Sequence, residues 1–282
     1  MTKVIGMMCV RDEADLLPEV LEHLDGKLDA LYAYDDGSQD GTTKILLESP
    51  QVTYLMIRSD DLNRIPAPRP NYHHLLEKIK NDYDYKNDDV WVVITMGDRF
   101  FLNKTPREII TGASGFTAVE GVQLDFLRHK MDPWTLENDT WPVYTDSLRN
   151  ICRWVRVDER CIVAYKVTDV ASYKKSAYPW PRSIGTPQYD RESMQDSLSL
   201  AMPFLEHQGR RSPKATMHRI ASGSRKLGRK HTQYDLSTFE STVKCNPTMW
   251  APDNLFPWTG LDSLEIIVYW HNTGNLPERT DI

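Results

Sequence analysis

The sequence predicts an α/β protein built on a doubly wound, mostly parallel sheet. Residues 4–57 alternate three short apolar runs with two stretches of helical spacing, a βαβαβ rhythm with short loops. Each apolar run ends abruptly in charged or small polar residues, as strands do where they reach the ligand-bearing edge of an open sheet. A fourth run, VWVVIT (Val90–Thr95), is uncharged and rich in β-branched residues, the composition of a strand buried on both faces.

Val4–Val10 (VIGMMCV) reads as the first strand. Leu16, Leu17, Val20, Leu21 and Leu24 follow at helical spacing, with Asp12 placed as an N-cap and Gly26 as the terminator. Leu31–Tyr34 is the second strand, Thr43–Leu47 starts a short helix stopped before Pro50, and Val52–Ile57 is the third strand. Through Ser59–Asn71, Pro66, Pro68 and Pro70 hold an extended, shaped loop. A helix resumes over Asn71–Asn81 on the stripe Leu75, Leu76 and Ile79. Beyond Val90–Thr95, Phe116–Phe126 reads as a long strand and Cys161–Val167 as another, while Glu192–Leu205 reads as helical. The apolar Leu264–Trp270 suits packing on the body or on a partner subunit, the latter giving a homodimer.

Composition bounds the function. The charged fraction of 26% and hydrophobic fraction of 40% are those of a soluble globular protein. A formal net charge of −6 is the reverse of a general nucleic-acid binder's balance, so no nucleic-acid partner is expected. No apolar run approaches the roughly 20 residues that cross a bilayer. The start, MTKVIGMMCVRDE, carries no signal-peptide cleavage pattern. Cys9, Cys152, Cys161 and Cys245 are scattered without a CxxC pair, which reads as reduced thiols in a cytoplasmic protein. Eight Trp and thirteen Tyr serve either as core or as platforms for sugar rings.

The chemistry concentrates at strand ends. Asp35 and Asp36 close the second strand, before Gly37-Ser38 and Asp40-Gly41-Thr42. That loop has no Lys or Arg and is no phosphate cradle; two acids there suit the hydroxyl and N–H donors of a ribose and a base, or a metal. Asp98, after Gly97 at the end of the central strand, is again in ligand position. The first strand-to-helix turn, MMCVRDE, lacks the glycine fingerprint that admits a pyrophosphate, which argues against a dinucleotide-binding dehydrogenase. The lack of a Gly-rich, Lys-bearing phosphate loop disfavours a nucleotidyltransferase.

Three segments, VIGMMCVRDEADLLPEVLEHL, LDALYAYDDGSQDGTTKIL and WVVITMGDRFF, together resemble family 2 type glycosyltransferases with the GT-A fold, over about residues 3–110. The resemblance is to a bacterial and phage branch with an Asn-Glu pair before the first helix, DDGSxDGT after the second strand and DxDEF after a strand that begins with Trp. A second block, LEHQGRRSPKATMHRI (Leu205–Ile220), is similar to the KHYxxRSPEQ segment near the end of that branch. The resemblance implies a Rossmann-like three-layer α/β/α sandwich around a mostly parallel sheet. It also implies a GT-A domain over 1–225, with a nucleotide-sugar half (1–105) and an acceptor half (106–225), and a helical C-terminal extension (226–282) packing on the body. A nucleotide-sugar donor, a divalent cation (Mn2+ or Mg2+) and inversion of configuration come with it. The implied donor contacts are Cys9, Arg11, Glu13, Asp35 or Asp36, Arg69, Gly97 and Asp98, with Asp98 as metal ligand. His207, Arg210 and Arg211 fall on the downstream block, where arginine suits bidentate contact to a diphosphate. Two positions depart from the pattern: Met96 replaces the first acid of Asp-x-Asp, and Arg99 replaces the following Glu.

The loop His129–Asp146 carries the acceptor expectation, with Trp134, Trp141 and Tyr144 to stack on a sugar and acids to deprotonate its hydroxyl. Asp132 is the first candidate base and Asp139 the second, ahead of Glu137 and Asp146. Tyr178–Pro187 reads as an acceptor lid or a rigid surface crossing. The basic run Arg225–His231 suits anionic lipid headgroups, and so peripheral membrane contact, or a charged acceptor. The sequence thus reads as a cytoplasmic glycosyltransferase acting on a carbohydrate or lipid-linked glycan acceptor. The alternative, motivated by Met96 and Arg99, is a catalytically weakened nucleotide-sugar-binding protein derived from such an enzyme.

Overall fold

A computed structural model describes residues 1–58, 72–127 and 154–168, with the short strand pieces 198–199, 204–207 and 256–257. Arg69, Asp132, Asp139, Arg210 and Arg211 lie outside the described residues, as do the whole 129–146 loop, Tyr178–Pro187 and Leu264–Trp270. So do the helical character of the C-terminal extension and the chain division at 225.

The first half runs β1 (Lys3–Val10), α1 (Leu17–Leu24), β2 (Ala30–Asp35), α2 (Thr42–Glu48), β3 (Val52–Ile57), α3 (Tyr72–Asp82) and β4 (Val90–Met96). It continues through β5 (Arg99–Phe101), α4 (Pro106–Thr111), β6 (Ala118–Leu127), β7 (Trp154–Lys166), β8 (Leu198–Ser199), β9 (Phe204–His207) and β10 (Phe256–Pro257). The strands form one sheet in the order β3-β2-β1-β4-β7-β6-β9-β5, with β8 on β6 and β10 on β7. β3, β2, β1 and β4 are mutually parallel. β7 runs antiparallel to both β4 and β6, and β9 lies between β6 and β5.

Period-two alternation divides the strands between two cores. Val4, Met8 and Val10 of β1 join Trp91 and Val93 of β4 under α1, α2 and α4, where Leu17, Val20, Leu21, Leu46, Ile109 and Ile110 pack. Ile5 and Met7 face the other way, with Tyr32, Tyr34, Val92 and Ile94, beneath Leu75, Leu76 and Ile79 of α3. This is the expected three-layer α/β/α sandwich around a mostly parallel sheet. α4 begins with a capping box: Thr105 Oγ1 accepts from Glu108 N–H while the Glu108 carboxylate accepts from Thr105 N–H. Among the described residues, no helix is long and apolar enough to cross a membrane.

Three expectations are corrected. Asp12 does not cap α1, which starts at Leu17 without a side-chain cap; Asp12 sits at φ 54 and bonds the neighbouring loop instead. β7 begins at Trp154 rather than Cys161, because β6 supplies ladder partners from Trp154 to Tyr165, interrupted by two register shifts. The predicted helix over Glu192–Leu205 gives way to strand at Leu198–Ser199 and Phe204–His207. There β6 and β5 offer open edges, and ladder bonds to them override a weak local helical pattern.

Candidate functional site

The carboxyl ends of β1, β2 and β3 are tied at one level by the backbone: Asp36 N–H donates to Val10 O and Arg58 N–H to Asp35 O, both at 2.9 Å. Arg11, Asp36 and Arg58 therefore follow three adjacent strands at one edge. Asp36 stands between the two guanidiniums, 3.3 Å from Arg58 Nη1 and 3.7 Å from Arg11 Nη1. The Tyr34 hydroxyl donates to the same carboxylate at 3.4 Å. Burial pushes the Asp36 carboxyl above its usual value, although both arginines pull it down. Its side chain keeps 16% exposure, against 6% for Arg58, so the carboxylate still meets solvent.

Asp35 has a different job. It is fully buried, with one oxygen accepting the Ser38 N–H at 2.9 Å and Ser38 Oγ–H at 2.6 Å, and the other accepting from Thr43 Oγ1. Gly37 makes the intervening turn possible at φ 76, a left-handed conformation that side-chain-bearing residues resist. The loop then staples the first strand-to-helix turn. Backbone N–H groups of Asp12, Glu13 and Ala14 donate in turn to Ser38 Oγ (3.0 Å), Thr42 Oγ1 (2.7 Å) and Asp40 Oδ2 (3.0 Å). Gln39 N–H returns a bond to Asp12 Oδ1 at 2.7 Å. Of the two acids read as ligand-facing, Asp36 keeps partial solvent exposure and Asp35 is committed to folding the loop.

Asp98 sits in the β4–β5 turn at 4% exposure. Gly97 before it is packed against Val10 and Glu13, so the turn closes directly on the end of β1. β5 is held from below by His23 of α1, whose Nε2 accepts the Phe101 N–H at 3.0 Å and whose ring meets Phe100 edge-on at 5.3 Å. Arg99 points into the interior at 1% exposure, where its Nη2 donates to Gln123 Oε1 of β6 at 2.6 Å. Met96 ends β4 in register with Cys9, the last residue but one of β1, which itself pairs with Tyr34. Burial pushes the Cys9 thiol well above its usual range, against a hydrogen bond with Tyr72.

The edge therefore brings together Cys9, Arg11, Glu13, Asp36, Gly97 and Asp98, and places the backbone of His207 opposite Arg99 on β9. Arg58 belongs with them and was not among the expected contacts. Its signal was available: it is the first residue after β3, level with Arg11 and Asp36. Among the described residues no group of three metal-ligating side chains forms. Asp98 is a hard carboxylate, and Met96, two residues before it, a soft thioether.

No protein-family model matches the chain, and no curated protein matches it. Several solved structures match the chain in part. S. aureus TarS 1-349 in complex with UDP-GlcNAc matches at 14% identity over 47% of this chain and 36% of its own, with a TM-score of 0.30. A second TarS structure matches at 10% identity over 86% of this chain and 42% of its own, with a TM-score of 0.41. Glucosyl-3-phosphoglycerate synthase from Mycobacterium tuberculosis, with Mn2+, UDP and phosphoglyceric acid, matches at 22% identity over 43% of each chain, with a TM-score of 0.27. The matched region thus spans less than half the length of each of these three chains. The fold stands on the strand order itself, and the site on its own residues.

Proposed function

We propose that the protein is a glycosyltransferase that takes a nucleotide-sugar at the carboxyl edge of its parallel strands and passes the sugar to a hydroxyl acceptor, with inversion. The observation that carries this is the convergence of Arg11, Asp36 and Arg58 on one edge, next to the turn bearing buried Asp98. Asp36 accepts N–H or hydroxyl protons of the nucleoside, while Arg11 and Arg58 hold it in place and donate to neighbouring acceptor atoms. Asp98 is the residue that would hold a divalent cation, in company with donor phosphate oxygens. Such a cation neutralises charge that develops on the leaving diphosphate. From the sequence, His207, Arg210 and Arg211 serve the diphosphate, and Asp132 or Asp139 takes the acceptor's proton.

A second reading rests on two observations: Met96 stands where the resemblance puts a hard ligand, and Arg99 is committed to Gln123. A site so reduced would bind a nucleotide-sugar without transferring the sugar. Calorimetric titration with nucleoside diphosphates, followed by turnover assays over a broad panel of sugar donors with and without Mn2+, separates the two. Binding with no hydrolysis or transfer of any donor leaves the binder reading; no binding of any nucleotide removes both.

A further inference from the structure

Four charged side chains follow one another along the carboxyl edge in alternating sign. Arg11 Nε stands 3.8 Å from Asp12 Oδ2, and Arg11 Nη1 stands 3.7 Å from Asp36 Oδ2. The other Asp36 oxygen is 3.3 Å from Arg58 Nη1. The order is therefore carboxylate, guanidinium, carboxylate, guanidinium, and no member is more than 16% exposed. With so little water between them, these contacts count for more than the same pairs on an open surface. Arg11, Asp36 and Arg58 belong to the donor edge. Asp12, the most buried side chain of the row at 1%, is the member without an assigned role.

Asp12 is also held in an unusual shape. Its φ is 54, a left-handed conformation that residues with side chains disfavour, and among the described residues it is the single non-glycine there. In an extended chain, neighbouring side chains point to opposite sides. The left-handed turn breaks that alternation directly after β1, and Asp12 meets the guanidinium of the residue before it. Two bonds to the loop after β2 hold the turn: Asp12 N–H donates to Ser38 Oγ at 3.0 Å, and Gln39 N–H donates to Asp12 Oδ1 at 2.7 Å. The carboxylate oxygens thus divide, one fastening the loop and the other facing Arg11. Strain kept in place by several bonds beside a binding edge is the kind of outlier that accompanies function. We infer that Asp12 is the positioning residue for Arg11: with Asp36 at the other end, it fixes the guanidinium at two points and sets the plane in which Arg11 donates to the nucleotide. This role rests on the reading of the edge as a donor site.

The test uses the full chain and Asp12→Asn. That change keeps an oxygen for Gln39 N–H and tolerates the left-handed turn, while removing the charge that faces Arg11. Urea unfolding should stay close to that of the unsubstituted protein. Uridine diphosphate, used as the probe, should bind about fivefold more weakly, the upper range for a single ion pair outside a dry core. In an Arg11→Gln background, Asp12→Asn should cost no further affinity. An equal loss in both backgrounds assigns Asp12 to the loop alone and overturns the role, as does full affinity in Asp12→Asn. A second measurement needs no ligand. In protein labelled with 15N-arginine, the Arg11 side-chain signals are identified by their loss in Arg11→Gln. A guanidinium held at two points turns slowly about its Nε–Cζ bond, so separate Nη signals that merge in Asp12→Asn are the expected result. Averaged Nη signals in the unsubstituted protein overturn the role without any variant of Asp12 having to fold, and separate signals that persist in Asp12→Asn overturn it too. These spectra decide the positioning even where uridine diphosphate does not bind; that separate outcome removes the donor reading.

Discussion

Gly97 lies against Glu13 so closely that a methyl group at 97 would stand 2.9 Å from Glu13 Cγ and 2.8 Å from Val10 Cγ1. Neither neighbour is a loose side-chain tip, since Glu13 and Val10 are both buried. Gly97→Ala must therefore displace the β4–β5 turn or the end of β1. Overpacking of this kind costs about 1–3 kcal/mol, to be read from urea unfolding. Nucleoside diphosphate affinity should fall with it, because the turn carries Asp98. Unchanged stability and affinity would show that the contact yields freely.

The two adjacent acids of β2's end should separate cleanly in mutants. Asp35→Ala strands the Ser38 and Thr43 donors and unfastens the loop that staples residues 12–14, so stability falls by about 3 kcal/mol. Asp36→Asn removes a carboxylate that keeps contact with solvent, so it should leave the fold intact and weaken nucleotide binding. Arg58→Ala, which withdraws the nearest cation from Asp36, should weaken binding in the same sense. Thermal unfolding and calorimetry on the three variants check the division; a binding loss confined to Asp35→Ala would reverse it.

These two acids also mark what the sequence disclosed. Strand ends, glycine turns and the helix stripe over Leu16–Leu24 are local signals, and β1 to β4 follow them within a residue or two. The division of labour between Asp35 and Asp36 is not local. It depends on Val10 and Arg58 being brought level by ladder bonds from other strands. Asp12 was misread for the same reason: an acid before an amphipathic stretch looks like a cap, but its partner, Gln39, lies across the loop. Glu192–Leu205 failed differently, because strand pairing at an open edge can overrule a weak helical period.

At the amino edge, two carboxylates tie the body together. Burial pushes Asp29 up, but hydrogen bonds from Val4 N–H and Arg107, with the charges of Arg107 and Lys3, hold it below its usual 3.8. Burial likewise raises Asp89, and Lys166, Thr2 and Trp91 outweigh it and bring it below 3.8. A carboxyl lowered in the folded state contributes stability that is full above the unfolded value and is lost as pH falls through the folded one. Urea midpoints should therefore drop on acidification below about pH 4, and Asp89→Asn should flatten part of that fall. A slope that Asp89→Asn and Asp29→Asn leave untouched would place the acid sensitivity elsewhere.

Asp98 is the strictest test of catalysis as opposed to binding. If a divalent cation rests on this carboxylate and on the donor's phosphates, Asp98→Ala loses transfer by at least about a hundredfold, together with any dependence on Mn2+. Far-UV circular dichroism should stay unchanged, because the sheet is held by β1, β4 and β7 rather than by the turn. The converse substitution is the sharper one. Met96 ends β4 where the resemblance puts the first acid of Asp-x-Asp, so Met96→Asp supplies a second hard oxygen ligand. Mn2+ affinity in the presence of uridine diphosphate should then rise about tenfold by electron paramagnetic resonance titration. Full activity in Asp98→Ala removes Asp98 from the reaction. A Met96→Asp protein that binds Mn2+ no more tightly places the cation, if it is used, away from the β4 end.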